Sequence, residues 1–233
     1  MRKNLILLTF ICFGANIFAQ LHEVGATIGG SNYSGDIGSS TLVIPNAPAF
    51  GLIYKYNRNP RISYRASFTA MKIKANNADS KNEIRQLFDT PVNKTVSELT
   101  AGIDFNFFDY TISHWHKSHS PYLIFELAAF HYKAAEGTAD NYSYKNKFGI
   151  ALPFGAGYKV QISDKLILGA EIRIRYSFTD DLDDSQFYKN EILTDHPENA
   201  KFGDSNTNDW YAFTGFTLSY TFGRTRYYST RRR

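Results

Sequence analysis

Several groups of residues in this sequence have the side chains and spacing for chemistry. The densest is the acidic run Asp180, Asp181, Asp183 and Asp184. Calcium takes roughly 6 to 8 oxygen ligands, and closely spaced aspartates supply several. The glycine spacing of an EF-hand loop is missing, so the run reads first as a solvated loop and second as a divalent-ion site. His114, His116 and His119, with Trp115 and Lys117, crowd one connection. Imidazoles at i, i+2 and i+5 suit zinc, yet Asp109 is the one carboxylate near them, which favours a solvated or partner-facing turn. His131 has the chemistry of a general base, and Ser143 and Ser177 that of nucleophiles, but no spacing links them. Gly29-Gly30 ends an alternating stretch and is no phosphate cradle. Finally, Arg224, Arg226, Arg231, Arg232 and Arg233, interleaved with Tyr227 and Tyr228, form a basic end suited to an acidic partner or anionic lipid headgroups.

The start of the chain sets the compartment for all of these. Arg2 and Lys3 precede an apolar stretch from Leu5 to Phe18, and Ala19 is a small residue before Gln20. This is the pattern of a secretory signal peptide cut after Ala19. Cys12 lies within it, so the exported chain has no cysteine and builds its core without disulfides. Nucleic acid is excluded as a partner by the same compartment argument. The formal charge of +4 loses two positive charges with the leader, and the five tail arginines account for more than the remaining +2. The basic character belongs to the tail. With 233 residues, of which 16% are aromatic and 21% charged, one folded unit is expected and disorder is not.

The dominant pattern has a period of two. From Lys147 to Ile162 the even positions are Phe148, Ile150, Leu152, Phe154, Ala156, Tyr158, Val160 and Ile162, while the odd positions are small or polar. From Leu166 to Phe178 an apolar face alternates with Gly169, Glu171, Arg173, Arg175 and Ser177. Eight stretches carry this signal: 21 to 33, 48 to 57, 61 to 74, 95 to 107, 121 to 132, 147 to 161, 166 to 179 and 209 to 222. Most run longer than the globular mode of about 5 to 6 residues and suit tilted membrane-crossing strands of roughly 9 to 11. Connections alternate long and short: 34 to 47, 58 to 60, 75 to 94, 108 to 120, 133 to 146, 162 to 165 and 180 to 208. That alternation is expected of an outer-membrane barrel with short periplasmic turns, long extracellular loops and both termini in the periplasm.

The two faces predict the two environments. Ile62, Tyr64, Ala66, Phe68 and Ala70, and Leu99, Ala101, Ile103, Phe105 and Phe107, form uncharged faces for lipid. The opposite faces hold Lys55, Arg61, Arg65, Glu98, Asp104, Glu126, Glu171, Arg173 and Arg175. Eight strands enclose little more than their own side chains, so these charges are expected to pair and plug the lumen. A selective pore is the alternative. Tyr54, Tyr56, Phe107, Phe108, Tyr158, Tyr176, Phe178, Trp210, Tyr211, Tyr220 and Phe222 are expected in interfacial girdles. The stretch ending Gly215, Leu218, Tyr220, Phe222 resembles the terminal strand signal of outer-membrane barrels, here followed by the residues from Gly223 to Arg233.

Six segments, taken in order, resemble one family: Gly29 to Gly38, Pro48 to Lys55, Asp104 to Asp109, Pro153 to Lys159, Phe178 to Asp183 and Asn208 to Gly215. Together they look like the PorG family of Bacteroidota. The resemblance implies a non-enzymatic outer-membrane component of the type IX secretion system, tied to a periplasmic ring of a PorK-like lipoprotein and its PorN-like partner, with several copies per ring allowed. It implies no cofactor, no metal and no catalytic motif. The expected organisation is a signal peptide over 1–19, an eight-stranded antiparallel transmembrane β-barrel over 20–222 and a basic periplasmic tail over 223–233. Outer-membrane lipids are the second expected partner. Topology puts the ring contacts at His114, Trp115, His116, Lys117 and His119 and at the five tail arginines. A small-solute channel or a lipid A-modifying barrel acting through His131 are the alternative functions.

Overall fold

A computed structural model of the chain describes residues 21–34, 44–75, 92–112, 117–138, 141–179, 182 and 209–223. They form eight antiparallel strands and no helix: β1 (Leu21–Ser34), β2 (Ala47–Asn57), β3 (Ile62–Ala75), β4 (Val92–Asn106), β5 (His119–Thr138), β6 (Asn141–Gln161), β7 (Leu166–Ser177) and β8 (Trp210–Gly223). Each pairs with its sequence neighbours, and β8 returns to β1 through fourteen register partners from Leu21↔Gly223 to Ser34↔Trp210. The sheet therefore closes and leaves no edge around the body of the barrel, as a membrane interior demands of every backbone polar group.

Alternation decides which way each residue points. Val24, Ile28, Phe50, Leu52, Phe68, Leu99, Phe125, Leu127, Phe216 and Leu218 face outward and are exposed. Their neighbours Thr27, Ser67, Thr69, Thr100, Glu126, Thr217 and Ser219 face inward and are buried. This is a protein turned inside out relative to a water-soluble barrel, and its outer surface is that of a transmembrane barrel.

Short turns join the strands at one end. In the 58–61 turn, the backbone amides of Arg61 and Ile62 donate to the Asn59 side-chain oxygen at 2.9 and 2.7 Å. Asparagine in this way substitutes for a missing backbone partner and sets the reversal. At the 162–165 turn, the Ile162 amide donates to the Leu166 carbonyl at 2.9 Å. The third connection at this turn end is longer and folds inward: Tyr110 and Ile112 are buried there against Ile167.

Two expectations about the elements are corrected. β5 and β6 have 20 and 21 residues, against 11 to 15 for the other strands. They pair with each other as far as Thr138↔Asn141, so the loop expected over 133–146 is mostly strand. Lys133 on β5 and Tyr144, Lys145 and Asn146 on β6 break the apolar alternation, so parity gives no signal there although the hairpin continues. Arg61, expected in the lumen, is on the surface and pairs with Asp109 at 2.6 Å. It precedes Ile62, the first residue of β3, so strand parity does not govern it.

The small odd positions of β6 have a packing reason. The Tyr122 ring lies on Gly157 and the Phe130 ring lies on Gly149, so closely that a Cβ would sit 2.6 Å from Tyr122 Cζ and 2.4 Å from Phe130 Cζ. Two large rings thus lie flat against the inner wall of β6. Replacing Gly157 by valine should force Tyr122 out of place and cost about 1–3 kcal/mol, the usual size of core overpacking. A lower urea midpoint in lipid vesicles, with the slope unchanged, would register it; an unchanged midpoint would refute this account of the β6 inner face.

Candidate functional site

The most heavily built part of the molecule is its interior. Among the described residues the buried charged side chains are six cations (Lys55, Lys94, Lys159, Arg65, Arg173, Arg175) and six anions (Glu23, Glu98, Glu126, Glu171, Asp104, Asp209). The equality matters, because an unpaired charge in a narrow lumen would be neutralised or hydrated at large cost.

Arg65 from β3 is the hub. Its guanidinium reaches Asp104 of β4 at 2.8 Å, Glu126 of β5 at 3.1 Å and Glu171 of β7 at 3.1 Å. Lys55 of β2 adds a 2.8 Å contact to Asp104 and a 3.6 Å contact to Glu171. The Tyr122 hydroxyl donates to Glu171 at 2.7 Å. One rung toward the other end, Arg173 reaches Glu126 at 3.3 Å and Glu171 at 3.4 Å, and the Thr100 hydroxyl donates to Glu126 at 2.6 Å. Above that, Arg175 grips Glu98 through Nη2 at 2.9 Å and Nε at 3.0 Å, the two-pronged geometry that fits a planar guanidinium to a carboxylate. The Tyr211 hydroxyl donates to the same carboxylate at 2.8 Å.

Apolar and aromatic layers close the network at both ends. Toward the loop end lie Tyr33, Met71, Ile73, Val96, Phe130, Tyr132 and Phe213, together with Leu182, which is fully buried. The Leu182 amide donates to Asp209 at 3.1 Å, and the Tyr33 hydroxyl donates to the other Asp209 oxygen. Toward the turn end, Tyr110 seals the barrel beneath Lys159, whose ammonium sits 4.1 Å from the Tyr110 ring centre and 5.1 Å from that of Tyr122. Lys159 has no hydrogen-bond partner among the described residues; the two ring faces take that place. Burial, and then the negative charge of Glu23, push the Tyr110 hydroxyl well above the ordinary phenol range, so it stays neutral at any pH a cell presents.

Of the charges expected in the lumen, the structure brings together Lys55, Arg65, Glu98, Asp104, Glu126, Glu171, Arg173 and Arg175, all of them buried, and leaves Arg61 outside. Tyr211, expected in a girdle, is inside instead. The alternation of β8 is ambiguous at Trp210, Tyr211, Ala212 and Phe213, where four apolar residues follow one another and parity has little contrast. Lys159, Tyr122 and Glu23 were absent from the expected plug, although each shares the parity of an inward neighbour: Gln161, Ile124 and Thr27.

The expected partner contacts fare differently. Lys117 is exposed at the turn end. His119 opens β5 and is held in an aromatic cluster, its Nδ1 within 2.7 Å of the Tyr158 hydroxyl and its ring edge-on to Phe108. His114, Trp115, His116, Arg224, Arg226, Arg231, Arg232 and Arg233 lie outside the described residues, as do Asp180, Asp181, Asp183 and Asp184. Leu182, between these aspartates in sequence, is described and is buried. Among the described residues no three His, Cys, Asp or Glu side chains converge in a metal-binding group. His131 faces outward and packs on Phe148 at 5.1 Å, whereas Ser177 is inside, its hydroxyl donating to the Thr179 carbonyl at 2.9 Å. The two do not form a catalytic pair.

Removing one partner of the Arg175–Glu98 pair isolates a buried charge, which typically costs about 3–5 kcal/mol. Glu98→Leu alone should therefore destabilise the barrel strongly, and Glu98→Leu with Arg175→Met should recover most of the loss. Urea unfolding in vesicles separates the cases; a double variant as weak as the single would mean the charge balance is not what holds this layer.

No curated protein matches the sequence. Three solved structures of similar architecture are the attachment invasion locus protein Ail of Yersinia pestis in complex with the heparin analogue sucrose octasulfate, Neisserial surface protein A, and a major outer membrane protein of Thermus thermophilus. The first is 16% identical, with a TM-score of 0.48 over 88% of this chain and 100% of that one. The second is 12% identical, with a TM-score of 0.48 over 88% and 98%. The third is 14% identical, with a TM-score of 0.43 over 88% and 100%. A family profile described as "Domain of unknown function (DUF6089)" matches residues 2–231, and this chain is a member of that family.

Proposed function

We propose that this protein is a sealed outer-membrane barrel that works at its rims, as the type IX secretion component that holds a periplasmic ring of a PorK-like lipoprotein and a PorN-like partner against the membrane. The observation that supports this most is the closed lumen. A channel needs a continuous wet path, and here paired charges fill the middle while Tyr110 and Ile112 at one end and Leu182, Tyr33 and Phe213 at the other cover them. An enzyme needs a base and a nucleophile facing one bound group, and His131 and Ser177 are on opposite sides of the wall, while Ser143 pairs with Glu136, five residues along β5 from His131. What remains is a rigid wall with two rims, which suits an anchor.

The resemblance of the six ordered segments to the PorG family supplies the identity of the ring. With the short-turn end in the periplasm, the surface available to the ring is the exposed rim at Lys117 and His119. His114, Trp115 and His116 adjoin that rim in sequence, and the arginine tail follows β8, which ends at the same side.

Replacing Arg224, Arg226, Arg231, Arg232 and Arg233 together by serine should leave membrane insertion unchanged and lower co-purification of the ring several-fold. Ring recovery equal to wild type would remove the tail from the interface. The wild-type protein in planar bilayers should give no discrete conductance steps; reproducible steps would transfer the function to the channel class.

A further inference from the structure

The loop-end rim is not uniform around the barrel. On the outward face of β3, Tyr64, Ala66, Phe68 and Ala70 give way to Lys72 and Lys74. On β4, Phe105, Ile103, Ala101 and Leu99 give way to Ser97, Thr95 and Asn93. On β5, Leu123, Phe125, Leu127 and Ala129 give way to His131 and Lys133. The change falls at one level, since Ala70 pairs with Ser97 and Ser97 with His131. Starting at the neighbouring strand β6 the rim turns aromatic: Phe148, the partner of His131, is 80% exposed, and farther round Tyr176 packs edge-on to Phe178 and Trp210 at 5.3 and 5.0 Å. Lysines and aromatics thus divide the rim between them.

We infer that the outward face of β3, β4 and β5 at the loop end binds the phosphorylated headgroup of an outer-leaflet glycolipid, with Lys72, Lys74 and Lys133 as its charged contacts. This rests on the outer-membrane reading above. Position comes first. The lysines stand directly above the apolar belt, where acyl chains end and phosphates begin, and a lysine with its stem along the belt keeps its ammonium at that depth.

Charge and spacing agree with position. None of the described outward positions of β3, β4 and β5 is Asp or Glu, so the field there is uniformly positive. Lys72 pairs with Thr95, and the β4–β5 ladder ends at Ser97↔His131, one outward position below Thr95 and Lys133. Lys72 and Lys133 therefore flank β4 at about two strand spacings, roughly 10 Å, which two extended lysine side chains close onto one phosphate. Thr95, Asn93 and Ser97 lie between them as neutral donors.

The backbone under the patch is fixed. The Ser31 hydroxyl donates to the Lys72 carbonyl, and the Asn46 amide donates to the Lys74 carbonyl at 2.8 Å. β2 starts at Ala47 and its pairing with β3 starts at Ala49↔Met71, so these two side chains satisfy carbonyls the ladder no longer reaches. They hold the strand straight through Lys74, and both lysines stay aimed outward.

The test uses the full chain in phosphatidylcholine nanodiscs, with bound lipid read by native mass spectrometry. Bis-phosphorylated lipid A and its dephosphorylated form are the probes. Wild type should retain the phosphorylated form and not the other. Lys72→Ser, Lys74→Ser and Lys133→Ser together should weaken retention about a hundredfold, from roughly fivefold per lysine near an anionic surface. The corresponding triple lysine-to-arginine variant should retain the lipid, as should Lys117→Ser with Lys165→Ser at the other rim. Equal retention of the dephosphorylated lipid, full retention by the triple serine variant, or equal loss in the turn-end variant would overturn the assignment. Heat-modifiable mobility on gels reports barrel insertion separately. Wild type that fails to insert defeats the membrane reading, while wild type that inserts and ignores the phosphate defeats this inference alone.

Discussion

Arg65 cannot be in this barrel without Asp104, Glu126 and Glu171 around it, and that dependence organises the rest of the structure. The three carboxylates come from β4, β5 and β7, so one guanidinium on β3 ties strands that face each other across the lumen. Each acid is shared in turn with Lys55, Arg173 or Tyr122. A buried ion pair adds little over a well-packed apolar one, but half of one is very costly. The network therefore acts mainly to select. Shifting β7 by one residue would turn Glu171, Arg173 and Arg175 into the bilayer, where a charge at the midplane costs about 2–4 kcal/mol for arginine. It would also strand their partners inside. Register, inward parity and charge balance are one constraint with three expressions.

The apolar layers follow from the same constraint. Ion pairs in a tube open to water would be weakened by screening and hydration at each mouth. Tyr110 and Ile112 below, and Leu182, Met71, Ile73 and Phe213 above, keep the middle dry. Lys159 marks the boundary. It makes no hydrogen bond to the carboxylates that Arg65 occupies, and the negative charge of Glu23 together with the rings of Tyr110 and Tyr122 offsets its burial. The long third connection at the turn end thus has a structural task, because it carries the residue that closes the tube.

Much of this was legible in the sequence. Period-two alternation places all eight strands, and charged residues on the minority face of 166 to 179 identify the lumen before any contact is known. Legibility failed where alternation is the wrong rule. Arg61 sits in a turn, where parity has no meaning. Tyr211 sits in a run of four apolar residues, where parity has little contrast. The paired ends of β5 and β6, 133–138 and 141–146, lack an apolar face in the sequence, and so they carried no signal although they are strands. Leu182 was invisible for another reason: a single leucine among four aspartates looks solvated, and only the Asp209 carboxylate that receives its amide shows where it goes.

A sealed lumen also limits where function can reside. With the interior committed to its own neutrality, any recognition must use the outer wall or the two rims, and the wall is committed to lipid. The rims carry what the strands do not need: aromatic clusters around His22 and His119 at the turn end, and a division into lysine and aromatic sectors at the loop end. The two ends are joined through the lumen, because Arg65 reaches Glu171, Arg173 reaches Glu126 and Arg175 reaches Glu98, each on another strand. A load applied to one rim is therefore passed to the other through charge pairs that cannot slide without exposing an ion. That property is the one the proposed anchoring role would draw on.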